Sequence, residues 1–508
     1  MEEDVPAGEG TNFAREYDNT LHELAQKNAY AKRQRSIIDE EEGTNYRSLY
    51  ARDRDRIIYS NSFRRLMHKT QLYLSYKGNE QQRTRLTHTI EVVTIARAIA
   101  KQLGMNEELV EAIAYGHDIG HSPFGHAGET QLNMIMQGKE PIPKRIRNVL
   151  GERRGILEKA NFKHNYQSVR VLSFLECYHP DYCQHGFNLT YQTLEGILKH
   201  TKIYQEDTNE KYKYPGVKDG IFNLLSLDKP HSVSVEGQIV NISDEIAQVT
   251  HDIHDGLEVG VLKYKDIIAI PELENILKND KVRHPYNIKS AHKRTRNFQT
   301  FSSLLNYFIS FITDEFRIGL RAILKNVDYL KKDNQLVLKG YILPDNKINS
   351  DAFHKLKKLK DDYVMNNYAV NRMDKKGEYI IRNLFNAYLN SIRQLPDSVF
   401  ESYAHIKKLE LDRLHEEGFI EWIRYISNNQ DIHPMSNELI AKVVDLLKKD
   451  GSSNDNDKIK FRLLPKKDMD ILFPYLFYDG DFIRSIIDHI ASMTDSSAEE
   501  EFRNLYIG

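Results

Sequence analysis

The sequence predicts a mostly α-helical protein, and three observations carry that expectation. From Ser48 onward, apolar residues recur at helical spacing over most of the chain. Alternating strand patterns are scarce; only Gln335–Leu343 and Gly377–Asn383 read as short β segments. The regular strand–helix alternation of a doubly wound sheet is missing. With 508 residues, 40% hydrophobic and 28% charged, the chain carries enough apolar material for one large domain or several ordinary ones.

Residues 1–44 are polar and charged with few periodic apolar positions, which predicts a loose N-terminal arm ending near residue 47. In Thr87–Gly104 the apolar positions Ile90, Val93, Ile95, Ala96, Ile99, Ala100 and Leu103 form a helical stripe, and Gly104 is a natural C-terminal cap. The next helix opens at Asn106, a capping residue, with Glu107 and Glu108 in its first turn, and ends at Gly116 or Gly120. Ile239, Val240, Ile242, Ile246, Ala247 and Val249 mark a third amphipathic helix. A helix closes on a polar loop within Val443–Lys458. Segments 138–155, 202–220 and 450–458 read as interruptions between helices.

Composition excludes several classes. The formal net charge is −2, so any anion site must be a local cluster of cations. No run of about 18 apolar residues is present, and no membrane-spanning helix is expected. The acidic start MEEDVPAGEG lacks the basic and apolar regions of a secretory leader. Two cysteines, Cys177 and Cys183, do not make a disulfide framework or a cysteine-rich zinc site. A cytoplasmic location is the expectation.

The densest chemistry lies in HDIGHSPFGHAGE, His117 to Glu129. Imidazoles mixed with carboxylates suit a divalent transition metal better than an oxygen-only site would. His117 and Asp118 offer adjacent ligands if the helix ends there. His88 stands near the start of the preceding helix, and a short turn at Gly104–Asn106 brings that start beside the end of the next helix. Asp244 lies on an otherwise apolar helix, where a carboxylate is costly unless paired or metal-bound. His88, His117, Asp118 and Asp244 are therefore the candidate metal ligands. No GxxxxGK[ST] or HExxH pattern occurs, which excludes Walker-type phosphate binding and a zincin protease.

The order His88…His117-Asp118…Asp244 resembles the metal signature of the HD superfamily of phosphohydrolases. The match is closer still to the deoxyguanosine triphosphate triphosphohydrolase-like (dNTPase) family. It rests on Tyr50–Tyr73, Arg83–Val92, His117–Glu129, Phe162–Leu172, Gly186–His200, Ser243–Gly256 and Ile486–Phe502, in family order. The resemblance implies an HD-domain helical fold with minor β segments. It implies an arm at 1–47, a catalytic core at 48–260, and a helical region at 261–508 that completes the substrate pocket and an oligomer interface. It also implies hydrolysis of a deoxynucleoside triphosphate at the α-phosphorus to deoxynucleoside and inorganic triphosphate. A divalent ion (Mn, Mg, Fe, Co or Ni) would polarise the phosphate and lower the pKa of a water.

The leaving 5′-oxygen needs a proton, and an imidazole can supply one near neutral pH. His126 is the candidate acid. Glu129 follows three residues later on the same helical face and is expected to orient His126 and raise its pKa. By resemblance this is the family's catalytic pair. The resemblance also assigns substrate contacts: Arg85, His121, Lys199 and His200 to phosphates, Gln71 to the region of the sugar 3′-hydroxyl, and His164 and Asn165 to the α-phosphate. Asp252, eight residues after Asp244, is expected at the 3′-hydroxyl. Four residues after Asp244 the family usually has Tyr, which packs on the deoxyribose; here it is Gln248, which puts strict deoxy selectivity in question.

Lys281–Arg296 holds six Lys or Arg and no acid. This cationic segment is a candidate site for an effector nucleotide or single-stranded DNA, or a solvated intersubunit surface. By resemblance the protein is a homo-oligomer, a hexamer or a tetramer. The alternatives are an HD phosphohydrolase acting on another nucleotide and a nucleic-acid-binding HD protein; the intact set of His88, His117, Asp118, His126, Glu129 and Asp244 speaks against the latter.

Overall fold

A computed structural model of the chain describes residues 20–33, 47–72, 83–140, 161–176, 186–203, 225, 228–279, 292–332, 335–344, 347–390, 394–396, 398–399, 402 and 480–507. Its helices begin where capping chemistry allows. Ser48 accepts a hydrogen bond from Ala51 N to start α1 (Leu49–Ile58), and Ser60 does the same for α2 (Asn61–Arg65). Thr84 and Thr87 exchange bonds as a capping box at the head of α3 (Arg85–Leu103). That helix stops at Gly104 with φ 71°, a left-handed conformation that only glycine adopts freely. Asn106 then caps α4 (Glu107–Gly116). The tight link folds α4 back along α3, as the sequence predicts.

There follow α5 (Gly125–Met136), α6 (His164–Arg170), α7 (Tyr191–Lys199) and the long α8 (Val235–Val259). Beyond them lie α9 (Tyr264–Ile268), α10 (Pro271–Asn279) and α11 (Lys293–Asn326). An antiparallel hairpin comes next, β1 (Tyr329–Lys332) with β2 (Gln335–Leu338), pairing Tyr329 with Leu338. The described helices end with α12 (Asp351–Lys360), α13 (Tyr368–Asn390), α14 (Gly480–Ser492) and α15 (Asp495–Tyr506). None of the described helices is long and apolar enough to cross a membrane.

The core is built around α8. Ile239, Val240, Ile242, Ile246, Ala247, Val249 and Ile253 are fully buried between α3 and α11. Each large side chain among them contributes about 1.5–3 kcal/mol on leaving water. α13 packs on α5, and both α14 and α15 pack on α13, so the distal helices sit against the element that carries His126.

Several expectations need correction. Residues 20–33 are not loose: Leu21 and Leu24 are buried in the main core, and Gln26 bonds through its backbone N–H to Glu236. Two leucines among polar neighbours are enough to anchor the segment. Gly377–Asn383 is not a strand but part of α13, because Met373, Gly377, Ile380, Ile381 and Leu384 continue a buried helical stripe. The strand at Gln335–Leu343 ends at Leu338. Ile90 is 47% exposed and lies off the buried face of α3. Cys177, Cys183, residues 141–155, 204–220 and 443–458, and residues 281–291 of the basic segment lie outside the described residues.

Candidate metal centre and acid–base cluster

Three helices bring His88, His117 and Asp244 together, with one ligand atom from each within 4.8 Å of the others. His88 Nε2 lies 2.9 Å from Asp244 Oδ1. His117 Nε2 lies 3.7 Å from the same oxygen and 3.5 Å from Asp118 Oδ1. The end of α4 orients His117: Nδ1 donates to the Ala114 carbonyl at 2.7 Å, which leaves Nε2 as the nitrogen turned toward Asp244 and Asp118. That buried Nε2 has no hydrogen-bond partner among the described residues, which is the behaviour of an atom reserved for a metal. Burial raises the Asp244 pKa, but the His88 hydrogen bond and the charges of His117 and His88 outweigh it and bring it to about 2.

Asp118 stands between this group and a second one. Its Oδ2 accepts from Arg85 Nη1 at 2.8 Å, and its Oδ1 lies 3.1 Å from His121 Nε2. Burial would raise this carboxyl; His117, His121 and Arg85 together hold it well below the usual carboxylate range. Asp118 also groups with His164 and His200, and His121 with Glu129 and His164. His121 stacks on His164 with ring centroids 3.9 Å apart, and burial, then Arg85 and His164, push its pKa well down.

Glu129 does not pair with His126. Its Oε2 lies 2.6 Å from His164 Nδ1. Burial would raise the Glu129 pKa, yet His164, by charge and hydrogen bond, then His126 and Lys163, lower it to about 2. His200 Nδ1 donates to the Ile197 carbonyl at 2.7 Å, and its Nε2 faces His164 Nε2 at 3.2 Å. Burial, then His117 and His164, lower the His200 pKa to about 3, so His200 is neutral and accepts at Nε2. His126 is exposed by surface area, and its pKa is lowered, first by desolvation. Glu129 raises it, as expected, but desolvation together with Arg85 and His164 outweighs that contribution.

Comparison with known proteins fits this geometry. The HD domain family matches residues 85–172, and the phosphohydrolase-associated domain matches residues 348–414. A deoxyguanosinetriphosphate triphosphohydrolase-like protein of Neorickettsia sennetsu is 33% identical over 386 residues, covering 75% of this chain and 89% of its own length. One of Wolinella succinogenes with the same description is 36% identical over 363 residues, covering 70% of this chain and 87% of its own. One of Geobacter metallireducens is 33% identical over 353 residues, covering 69% and 80%. The chain belongs to the deoxyguanosinetriphosphate triphosphohydrolase-like family.

Membership makes the chain a metal-dependent phosphohydrolase of the HD type, and the donor set of two imidazoles and a carboxylate around an unpartnered nitrogen fits a divalent ion. The other candidate residues of this family member fall into three groups. Arg85, His121, His164 and His200 line the histidine cluster through the contacts above. Gln248 is half-buried one turn beyond Asp244 on α8, and Asp252 is buried a further turn on, where burial lifts its pKa to about 7. Three residues meet structural partners. Asn165 Nδ2 donates to the Leu198 carbonyl at 2.5 Å and ties α6 to α7, while its Oδ1 has no partner among the described residues. Lys199 Nζ lies 2.9 Å from Glu195 Oε1. Gln71 joins the backbone of Arg83 through its N–H at 3.2 Å.

Two residues escaped the sequence reading. His251 Nδ1 lies 3.4 Å from His88 Nδ1 and 3.2 Å from Glu91 Oε2, placed to fix the His88 tautomer when Nε2 is a ligand. Its position two helical turns after Asp244 is the signal that could have revealed it. Lys69 is buried, and its Nζ donates to the His121 carbonyl and, at 3.0 Å, to the Ala491 carbonyl. An isolated lysine near Gln71 carries no sequence signal for this.

Proposed function

We propose that the protein hydrolyses deoxynucleoside triphosphates at the α-phosphorus, releasing deoxynucleoside and intact inorganic triphosphate. The observation that supports this most is the convergence of His88, His117 and Asp244 around the unpartnered His117 Nε2, beside the His121–His164–Glu129 cluster. The relatives' shared description supports the substrate class.

In this reading His88, His117, Asp118 and Asp244 hold the ion, which supplies Lewis-acid polarisation of the phosphate and a water of low pKa. Water oxygen adds to the α-phosphorus as the bond to the 5′-oxygen breaks. His126, at the second position of α5, gives its proton to that oxygen, and the departing alkoxide leaves as the neutral 5′-hydroxyl. Arg85, His121, His164 and His200 face the anionic chain. His164 with Glu129 forms a fixed donor beside it. Gln248 in place of the family's usual Tyr leaves room for some turnover of ribonucleotides. The protein acts as a homo-oligomer with Mn or Mg, and an effector nucleotide or single-stranded DNA adjusts its rate.

The test is incubation with Mn²⁺ or Mg²⁺ and each dNTP, singly and mixed, with products resolved by ion exchange. Deoxynucleoside plus triphosphate, lost in His126→Ala and Asp118→Ala, is the expected result. Pyrophosphate or orthophosphate as the first product would overturn the reading, and turnover only in mixtures would identify nucleotide activation.

A further inference from the structure

The turn that carries His126 is held in an unfavourable conformation by a residue far away in the chain. Phe124 has φ 61° and Gly125 φ 57°, two successive residues in the left-handed region. For a phenylalanine this costs on the order of 1–2 kcal/mol and persists only where the surroundings impose it. Phe124 caps α5 without a side-chain hydrogen bond of its own. Its N–H donates instead to Asp495 Oδ1 at 2.9 Å. The second oxygen of the same carboxylate, Oδ2, accepts from Thr70 N at 2.8 Å. Phe124 lies two residues before His126, and Thr70 one before Gln71. The ring side of the turn is closed by α13: a Cβ on Gly377 would lie 2.5 Å from Phe124 Cβ, so only glycine admits the phenylalanine there. Lys69 adds a strut between the His121 and Ala491 carbonyls, again joining the turn to the distal helices.

We infer that Asp495, at the head of α15, is a positioning residue for catalysis: its two carboxylate oxygens fix the backbones that aim His126 at the leaving oxygen and Gln71 at the sugar. This rests on the functional reading above. It acts through those residues and touches no substrate itself. Asparagine at this position keeps one acceptor and turns the other into a donor facing an N–H, so it retains half of the clamp. Alanine removes both.

The experiment compares two substrates on full-length wild type, Asp495→Asn and Asp495→Ala, well below their melting temperatures. One substrate is a dNTP, whose alkoxide needs a proton and whose sugar needs placing. The other is bis(p-nitrophenyl) phosphate, whose phenolate leaves unaided and which has no sugar. Bound metal is measured on each variant. Expected is a fall in dNTP turnover of at least about tenfold in Asp495→Ala, with Asp495→Asn intermediate, aryl-ester turnover within about threefold of wild type, and metal content unchanged. Equal losses on both substrates, or loss of metal, would mean a merely structural role and overturn the inference, as would full dNTP activity in both variants. Wild type that cleaves the aryl ester but no dNTP would instead sink the substrate reading; the same alkyl-to-aryl ratio, read on whichever alkyl phosphoester it does cleave, then decides the role of Asp495.

Discussion

The Glu129 carboxylate lies 2.6 Å from Nδ1 of His164, and the two form one largely buried acid–base unit beside the candidate metal ligands. Removing either partner breaks the same contact. Glu129→Ala and His164→Ala are each expected to lower kcat by about 10²-fold. The double variant should lose far less than the product of the two, as groups acting as a unit do. Saturating dNTP kinetics on the three variants, with metal content confirmed, measures the coupling; multiplicative losses would show two independent roles.

His126 has a pKa below its ordinary value, first through desolvation and then through Arg85 and His164. Without substrate it is therefore neutral at pH 7.5. A bound triphosphate adds negative charge and favours the protonated imidazole. Binding should then take up protons at this pH. Calorimetry of a 5′-methylene dNTP analogue in two buffers of different ionisation enthalpy reads the uptake. It should shrink clearly in His126→Gln, and equal uptake in both proteins would place the proton elsewhere.

Asp488 joins the distal helix α14 to the catalytic core. Its carboxylate accepts from Arg170 Nη2 at 2.6 Å and from Gln167 Nε2 at 2.9 Å, and lies 3.2 Å from Arg484 Nε. Both arginines are fully buried. Asp488→Ala takes away their shared carboxylate and should cost about 3–5 kcal/mol in urea unfolding, with Asp488→Asn less severe. A loss below about 1 kcal/mol would mean that the guanidinium groups find other acceptors.

Glu236 is fully buried and accepts from the backbone N–H groups of Gln26 and Asn106. Burial lifts its pKa to about 7 against these two bonds. The folded state thus prefers the protonated form, and stability falls as pH rises from the ordinary carboxyl range through about 7. Glu236→Gln keeps an acceptor and carries no charge. Relative to wild type it should gain up to about 3 kcal/mol between pH 5 and pH 8.5, seen in melting curves. A difference constant over that range would show Glu236 titrating normally.

The metal constellation was legible because its parts obey local rules. A glycine turn between two helices returns His117 to His88, and a carboxylate on an apolar helix marks Asp244. The hydrogen bond of Glu129 goes to His164 and not to His126, which the sequence does not show because both imidazoles are chemically adequate partners. Only the packing of α6, which brings in His164, decides between them. Gly377–Asn383 reads as a strand because seven residues with three apolar or aromatic members fit either period; the stripe from Met373 to Leu384 settles it as helix. Leu21 and Leu24 were hidden by polar neighbours. Asp495 had the signature of an ordinary first-turn acid, and nothing local announces that it serves backbone groups in two distant segments.

The bond from Phe124 to Asp495 spans 371 positions. During synthesis the candidate metal ligands, the last of them Asp244, leave the ribosome long before the carboxylate that steadies the turn bearing His126. A nascent chain can therefore assemble the candidate metal ligands while the proposed proton donor still lacks its final support, and non-local contacts of this span form late. Release of the distal helices from the ribosome, more than folding of the HD core, would then set the moment at which a growing chain begins to consume nucleotides.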